Sequence, residues 1–417
     1  MLPEDFIDYT SKLFGEQRWQ AFLSSFREDV PVSIRINPFK ISREQDKEIL
    51  AELSAESTAV PWCCNAFWLS SRPRFTSDPL FHAGAYYVQE AGSMFLDRVL
   101  RTYVSEPVTM LDLCAAPGGK STLARAALPE SSLLFTNEPD RHRANILMEN
   151  MVKQGHEGIV VTNCYAEDYA KGRIAFDVIL VDAPCSGEGL FRRDNAAIGE
   201  WSMRNVRKCA ELQQSILRDI WNALAPGGLL VYSTCTFNVM ENEENVLFLM
   251  REYGAEVLPV PVEAEWGICP SLHAELTEPV YRFIPGTTKS EGLFMSVLRK
   301  PGTLSPAIPD KQKILSKIKK GIHILYDGVP RGEQKGRDII PSHAEALAIN
   351  NHGGYPIAKV SKDEALRYLH REPLVLPSDT PRGFVMLAYH GLPLGFVKNI
   401  GNRANNLYPK EWAIRSL

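Results

Sequence analysis

The stretch from Leu111 to Ser121, LDLCAAPGGKS, most constrains how this chain can fold. Apolar residues (Val108, Met110, Leu111, Leu113) run into a turn built on Pro117, Gly118 and Gly119, and a helix is expected over 120–128. A strand that enters a helix through glycines lets the backbone approach a ligand and points unpaired N–H groups at it. Taken alone, such a turn reads equally well as a plain connection.

The rest of the chain supplies the context. Apolar runs at 108–113, 133–136, 159–162, 178–181 and 229–232 alternate with helical segments between about 105 and 300. That rhythm implies right-handed crossovers and a mostly parallel α/β sheet. Runs at 280–283 and 293–298 read as an antiparallel hairpin at its edge. The helix before Pro226-Gly227-Gly228 carries Val206, Cys209, Ile216, Ile220 and Leu224 on one stripe and is expected to end at that turn. Upstream, 3–27 reads as helical with an apolar stripe (Trp19, Phe22, Leu23, Phe26), and 31–37 alternates as a half-buried strand. Ser42 with Gln45 looks like a capping box for a helix through about Leu53. Residues 301–320 are Pro-rich and then Lys-rich and read as a linker. Beyond them lie short strands, a helix over 362–369, and two strand runs around Gly391–Leu394.

Composition narrows the class. The chain is 45% hydrophobic and 23% charged, ordinary for a soluble protein. No apolar run reaches membrane-spanning length and the first residues lack a signal-peptide pattern, so a cytoplasmic protein with no membrane partner is expected. Eight cysteines without a CxxC pair argue against a common zinc site and fit a reducing compartment; no metal is expected. Residues 301–417 hold 17 Lys/Arg against 10 Asp/Glu, while the whole chain carries −4. A basic tail on an acidic body hints at a polyanionic partner.

Three constellations carry chemistry. Glu138 lies 20 residues beyond Gly118, after the second strand. There a doubly wound domain places an acid on ribose hydroxyls, the alternative being a helix N-terminal acid favoured by the dipole. The fourth strand runs into Asp182-Ala183-Pro184-Cys185-Ser186-Gly187 and the fifth into Ser233-Thr234-Cys235-Thr236. Ligands of an open parallel sheet bind beyond the carboxyl ends of its strands, so both cysteines fall on the edge of the glycine turn. A thiol there serves as a nucleophile once ionised. Cys164, Cys209 and Cys269 read as packing residues, as does the thiol of Cys114.

LDLCAAPGGKS, DAPCSGEG and YSTCTF, in this order, resemble the Sun (NOP2-like) family of RNA cytosine-5 methyltransferases. SIRINPFK and YYVQEAGSM resemble that family's N-terminal region, and LPLGFVKNIGNRANNLYPKEW resembles the PUA-like RNA-binding domain of its RsmF branch. The resemblance implies a Rossmann-like class I methyltransferase domain with an N-terminal α+β extension and a small β-rich PUA-like C-terminal domain. Its implied bounds are 1–90 for the N-terminal RNA-binding or packing domain, 91–300 for the methyltransferase domain, 301–345 for a linker and 346–417 for the PUA-like domain. It implies S-adenosyl-L-methionine as cofactor, held by Cys114, Ala115, Ala116, Pro117, Gly118, Gly119 and Lys120, with Glu138 on the ribose and Asp182 beside cofactor and base. Cys235 is the implied nucleophile and Cys185 the cysteine that releases the product. The family's acid on the loop after the third strand is missing where Tyr165 stands; Asp168 is the expected substitute, the alternative being that the contact is lost. The RsmF-type tail makes 16S rRNA or the small ribosomal subunit the expected substrate, with tRNA as the alternative and a non-catalytic RNA-binding or assembly factor as the other class. A monomer is the default. A dehydrogenase fits poorly, because AAPGGK is not GxGxxG and the cysteine pair would go unexplained. DNA cytosine methylation fits poorly too, because the implied nucleophile follows a Thr.

Overall fold

The computed structural model describes residues 2–53, 55–172, 174–305, 307–318, 321–330, 332–336, 338–350 and 354–415. The N-terminal region holds β1 (Val32–Ile36), β2 (Ser57–Ala59), β3 (Ala66–Leu69) and β4 (Tyr86–Val88), in sheet order β2-β3-β1-β4. The central sheet holds β5 (Thr109–Asp112), β6 (Leu133–Asn137), β7 (Ile159–Asn163), β8 (Phe176–Asp182), β9 (Leu224–Thr234), β10 (Glu256–Val257), β11 (Tyr281–Phe283), β12 (Leu293–Arg299) and β13 (His323–Tyr326). Its order is β10-β12-β9-β8-β5-β6-β7-β13, with β11 also on β12. Strands β7, β6, β5, β8 and β9 are parallel, and β12 and β13 close the two sides antiparallel. A small pair, β14 (Glu333–Lys335) with β15 (Asp338–Ile340), precedes the C-terminal sheet of β16 (Ile357–Lys359), β17 (Gly383–Tyr389), β18 (Leu392–Asn399) and β19 (Ala404–Asn406).

Strand residues pointing to alternate faces build two cores. On one face Met110, Leu134 and Leu180 pack under the helices Phe95–Tyr103 and Gly119–Ala127. On the other, Leu111, Phe135 and Ile179 meet Leu217 and Ile220 of the helix Met203–Trp221 and Val246 of the helix Glu243–Tyr253. Each fully buried Leu, Ile or Phe contributes about 1.5–3 kcal/mol, so the helices on both faces add to the sheet's stability. Among the described residues no helix is long and apolar enough to cross a membrane.

Several local expectations change. The 3–27 segment is two helices, Glu4–Phe14 and Glu16–Ser25, broken at Gly15 with φ 71°. The break lets Phe6 reach Phe191 while Phe14 and Phe22 reach Phe237 behind the Cys235 loop. β1 is buried on both faces, because Arg35 is drawn inward to Gln89 Oε1 (3.1 Å) and Thr122 Oγ1 (2.6 Å). Ser42 N–H does donate to Gln45 Oε1 (3.1 Å), yet this closes a turn, and the helix begins at Asp46. The helix before Pro226-Gly227-Gly228 ends earlier, at Trp221; the glycines form an irregularity inside β9, which already pairs with β8 at Leu224.

The expected linker is structural. β13 pairs antiparallel with β7, and the helix Lys311–Ile318 buries Leu315 and Ile318 in the sheet core. Lys319 and Lys320 of the Lys-rich run lie outside the described residues. Val385 and Leu387 of the C-terminal sheet and Tyr368 of the helix Lys362–Leu369 join Ile34 and Ile36 in one core, so the two ends of the chain share it.

Candidate active site

The strand order reverses between β5 and β8, and a ligand crevice opens above their carboxyl ends at such a point. A cavity of about 650 Å³ lies there, walled by Cys114, Ala116, Glu138, Tyr165, Asp182, Cys185 and Cys235. The turn after β5 bends through Gly118 at φ 113°, in the left-handed region that favours glycine. A Cβ there would also press on Met151 and Leu147 of the helix Arg141–Gln154, so the glycine seats that helix against the turn.

At one end of the cavity sits Glu138, just past β6 and 2% exposed. Its Oε1 accepts from Asp140 N–H (3.1 Å) and its Oε2 lies 3.4 Å from Arg143, which also donates to the Ala116 carbonyl (3.0 Å). Burial raises the Glu138 pKa, opposed by the Asp140 N–H and Arg143. Asn137 ties three strand ends together: its Nδ2 donates to the Leu113 and Cys164 carbonyls, and its Oδ1 accepts from Cys164 N–H and Thr162 Oγ1.

At the other end Cys185 and Cys235 face each other, Sγ to Sγ 3.1 Å, both free thiols. The hydrogen bond with Cys235, then burial, pushes the Cys185 pKa well up. Burial raises Cys114 as well. Asp182 stands beside the pair. Its Oδ2 meets Lys120 Nζ at 2.9 Å and its Oδ1 accepts from Ser233 Oγ at 2.7 Å. Burial works to lower the Lys120 pKa, but Asp182 more than offsets it and the net shift is upward.

Two buried carboxylates hold the cysteine loops in place. Glu188 Oε2 accepts from Phe237 N–H (2.6 Å) and Asn238 N–H (3.0 Å), while its Oε1 accepts from Trp201 Nε1 (3.0 Å) and Asn238 Nδ2 (3.1 Å). Glu241 Oε2 accepts from Ser186 N–H (3.0 Å) and Gln213 Nε2 (2.8 Å), and its Oε1 accepts from Asn238 Nδ2 (2.7 Å). Gly189 is pinned between the Cys235 carbonyl, to which its N–H donates at 2.8 Å, and Gly292; a Cβ would stand 2.9 Å from the former and 3.1 Å from the latter carbonyl oxygen. Arg282, buried and paired with Glu243, donates to the Phe237 carbonyl (2.6 Å) and closes the loop from below.

Comparison with known proteins places this geometry. The profile described as 16S rRNA methyltransferase RsmB/F matches residues 102–299, that of the N-terminal domain of 16S rRNA methyltransferase RsmF matches 2–91, and that of the methyltransferase RsmF PUA domain matches 356–414. The chain is 31% identical over 462 residues to ribosomal RNA small subunit methyltransferase F of Serratia proteamaculans, covering 98% of this chain and 96% of that relative. The chain belongs to the RsmF family of methyltransferases. The Enterobacter relative of the same name is 28% identical over 98% of this chain and 95% of its own length. Among solved structures, a methyltransferase homolog from Pyrococcus horikoshii aligns at TM-score 0.60 and 26% identity over 72% of this chain and all of that one. NSun6 from the same organism aligns at TM-score 0.62 and 21% identity over 72% of this chain and 99% of that one, a likeness of fold.

Within this RsmF-family chain the expected cofactor-loop residues separate. Cys114 and Ala116 line the cavity; Ala115 is buried beneath it, donating its N–H to the Asn137 carbonyl (2.8 Å). Pro117, Gly118 and Gly119 stand off the cavity wall, with Gly119 turned toward Tyr87 and Gln89. Lys120 lies off the cavity wall and meets the site by its ion pair with Asp182. Asp168 does not line the cavity. It is the third residue of the helix Ala166–Lys171, and its Oδ2 accepts from Tyr165 N–H (3.0 Å), which turns the carboxylate back onto the helix start. Tyr165 itself lines the wall and is 67% exposed. Asn137, Glu188 and Glu241 escaped sequence reading. Glu188 follows Cys185 closely in CSGEG, but a carboxylate that serves backbone N–H groups 49 and 50 residues away leaves no local pattern.

Proposed function

We propose that the chain methylates carbon 5 of a cytosine in small-subunit rRNA, with S-adenosylmethionine as donor and Cys235 as covalent catalyst. The observation that carries this reading is the thiol pair at one end of a cavity whose other end is closed by the buried Glu138 carboxylate. The cavity suits a nucleoside-sized ligand. Glu138 presents acceptors to vicinal ribose hydroxyls, and Tyr165 with Pro139 offers flat faces to a purine. Bound there, S-adenosylmethionine supplies an electrophilic methyl group. Asp168 has one oxygen on its helix cap and lies off the cavity wall, so this reading gives it no contact with the donor.

The chain's own residues then divide the work. The Cys235 sulfur, as thiolate, adds to carbon 6 of the cytosine and makes carbon 5 electron-rich, the covalent strategy that splits one hard step into easier ones. Asp182, held by Lys120 and Ser233, hydrogen-bonds the cytosine edge. After carbon 5 takes the methyl, its proton passes to water in the cavity. The carbon 5–hydrogen pair reforms the double bond as the sulfur–carbon 6 bond breaks, returning Cys235. Cys185, in contact with Cys235, assists that release. The target base must leave its stack, which costs roughly a few kcal/mol. The C-terminal PUA domain supports an RNA substrate, and its grip on the backbone weakens with salt.

The test is transfer of labelled methyl to 16S rRNA, small subunits and bulk tRNA. Labelled 5-methylcytosine in rRNA or subunits, abolished by Cys235→Ala, is expected. Label confined to tRNA overturns the substrate, and activity retained by Cys235→Ala overturns the nucleophile.

A further inference from the structure

The helix Met203–Trp221 runs against the direction of the parallel strands. It ends beside the start of β8, where Phe176 N–H donates to the Ala223 carbonyl (2.8 Å). Its first turns therefore stand at the carboxyl edge, over the site. Two hydrogen bonds fix it there: Trp201 Nε1 donates to Glu188 Oε1 (3.0 Å), and Gln213 Nε2 donates to the Pro184 carbonyl beside Cys185 (2.9 Å). Side chains four residues apart form one ridge on a helix. Arg204, Lys208, Leu212 and Ile216 make such a ridge, and its last two members line the active-site cavity. The ridge thus climbs out of the cavity to two cations, about 6 Å and about 12 Å beyond Leu212 along the helix axis.

The side chains of this ridge are open to a ligand. Leu212 is 48% exposed although it sits on the cavity wall, and Leu190, on the same wall, is 38% exposed. Arg204 and Lys208 are exposed and make no hydrogen bond or ion pair among the described residues. Arg207, beside the ridge, is exposed and without such a partner as well. Glu211 is the one acid among residues 203–212, and it pairs with none of these cations. Arg192 and Arg193, just after Leu190, are by contrast engaged, Arg192 on the Glu28 (3.4 Å) and Asp29 (3.2 Å) carbonyls and Arg193 on the Glu291 carboxylate. Of these cations only those of the helix are unspent.

We propose that the ridge Arg204–Lys208–Leu212 is the path along which a single-stranded segment of the substrate RNA leaves the active site, with Leu212 against the base next to the target cytosine and Lys208 and Arg204 on the phosphates that follow. The inference rests on the RNA-methylation reading of the cysteine pair. A cytosine drawn out of its stack brings its own backbone to the mouth of the cavity. Its unstacked neighbour presents an apolar face, which an exposed leucine covers. The cations need give up no partner to meet a phosphate, and a helix pinned to both cysteine loops presents them without reordering. Contacts of this kind fix the register of a strand and carry no base preference, so the ridge positions the RNA and does not read it.

The test compares the full chain with the double variant Arg204→Gln, Lys208→Gln. Both side chains are exposed and unpaired, so its melting temperature is expected to match the parent's. Binding of labelled 16S rRNA fragments and of small subunits is measured by filter retention across a range of salt. Each phosphate contact to a single strand contributes about 0.7 to the slope of log K against log salt, so the slope is expected to fall by about 1.4 in the double variant. The KM for RNA in methyl transfer should rise, and the affinity for S-adenosylmethionine should stay. Arg218→Gln, which removes a cation from the amino-edge end of the same helix, is expected to leave the slope unchanged. A slope that stays at the parent's value in the double variant, or that falls as much per charge in Arg218→Gln, overturns the path, as does a parent chain that binds no RNA. Affinity lost for small subunits alone assigns the ridge to a ribosomal protein and overturns the path too. Methyl transfer with an unaltered slope leaves the RNA-methylation reading standing. The expected slopes without any adduct or methyl transfer sink that reading and keep the path.

Discussion

Replacing Glu188 by Gln changes almost no volume, yet it should be among the most damaging single changes near the site. Glu188 spends both oxygens as acceptors, Oε2 on the Phe237 and Asn238 backbone N–H groups and Oε1 on Trp201 Nε1 and Asn238 Nδ2. An amide has one oxygen. With its NH₂ toward Phe237 and Asn238 it orphans two buried backbone donors; turned over, it orphans Trp201 Nε1 alone, because Asn238 Nδ2 keeps Glu241 Oε1. The amide takes the cheaper orientation, at about 1–3 kcal/mol for the lost donor. In both orientations an NH₂ replaces an acceptor beneath the loop that positions the Cys235 sulfur. A displacement near 1 Å costs on the order of a hundredfold in rate. Urea unfolding monitored by Trp fluorescence, paired with methyl transfer, reads both effects. A Glu188→Gln protein within about 0.5 kcal/mol of the parent and of normal kcat would show that the carboxylate does not organise this loop.

The other expectations are simpler. Cys185→Ala should accumulate an RNA adduct visible as a shifted band in a denaturing gel, and a double variant with Cys235→Ala should not; a band in the double variant assigns the wrong sulfur. Asp112 is fully buried, and burial lifts its pKa to about 7 despite the hydrogen bond from Ser121. The folded state therefore holds a proton that the unfolded chain loses near its ordinary pKa of about 4, so stability falls as pH rises between the two values, by up to about 4 kcal/mol, and is flat above. Asp112→Asn should remove that loss, so its unfolding free energy should exceed the parent's at pH 8 by more than at pH 4.5; a constant difference refutes the assignment. Ending the chain at residue 300 strips β13 from β7 and uncovers Ile34 and Ile36, so its melting temperature should drop by many degrees; an unchanged melting point would mean that the C-terminal third is an independent module.

The division between sequence and structure follows from the range of the forces involved. Strand–turn–helix alternation, the cysteines at strand ends and the Glu138 offset were all legible, because each depends on residues within a few positions or on the fixed geometry of a parallel sheet. Helix 362–369 was legible for the same reason, with its Ser361–Glu364 capping box closed locally. Tertiary contacts decided the rest. Pro226-Gly227-Gly228 carries a helix-stop signal, yet pairing with β8 draws it into β9. Residues 301–345 have the composition of a linker, yet the exposed edge of β7 takes up β13. Asp168 stands near the loop after β7, yet the adjacent helix start takes one of its oxygens and the residue lies off the cavity wall. The alignment of the two thiols at 3.1 Å depends on Glu188 and Glu241, whose partners lie up to 55 residues away. The types of residue a site needs are written along the chain. Their distances are set only when buried polar groups find partners from distant segments, because an unpaired one in the interior costs more than a surface loop can recover.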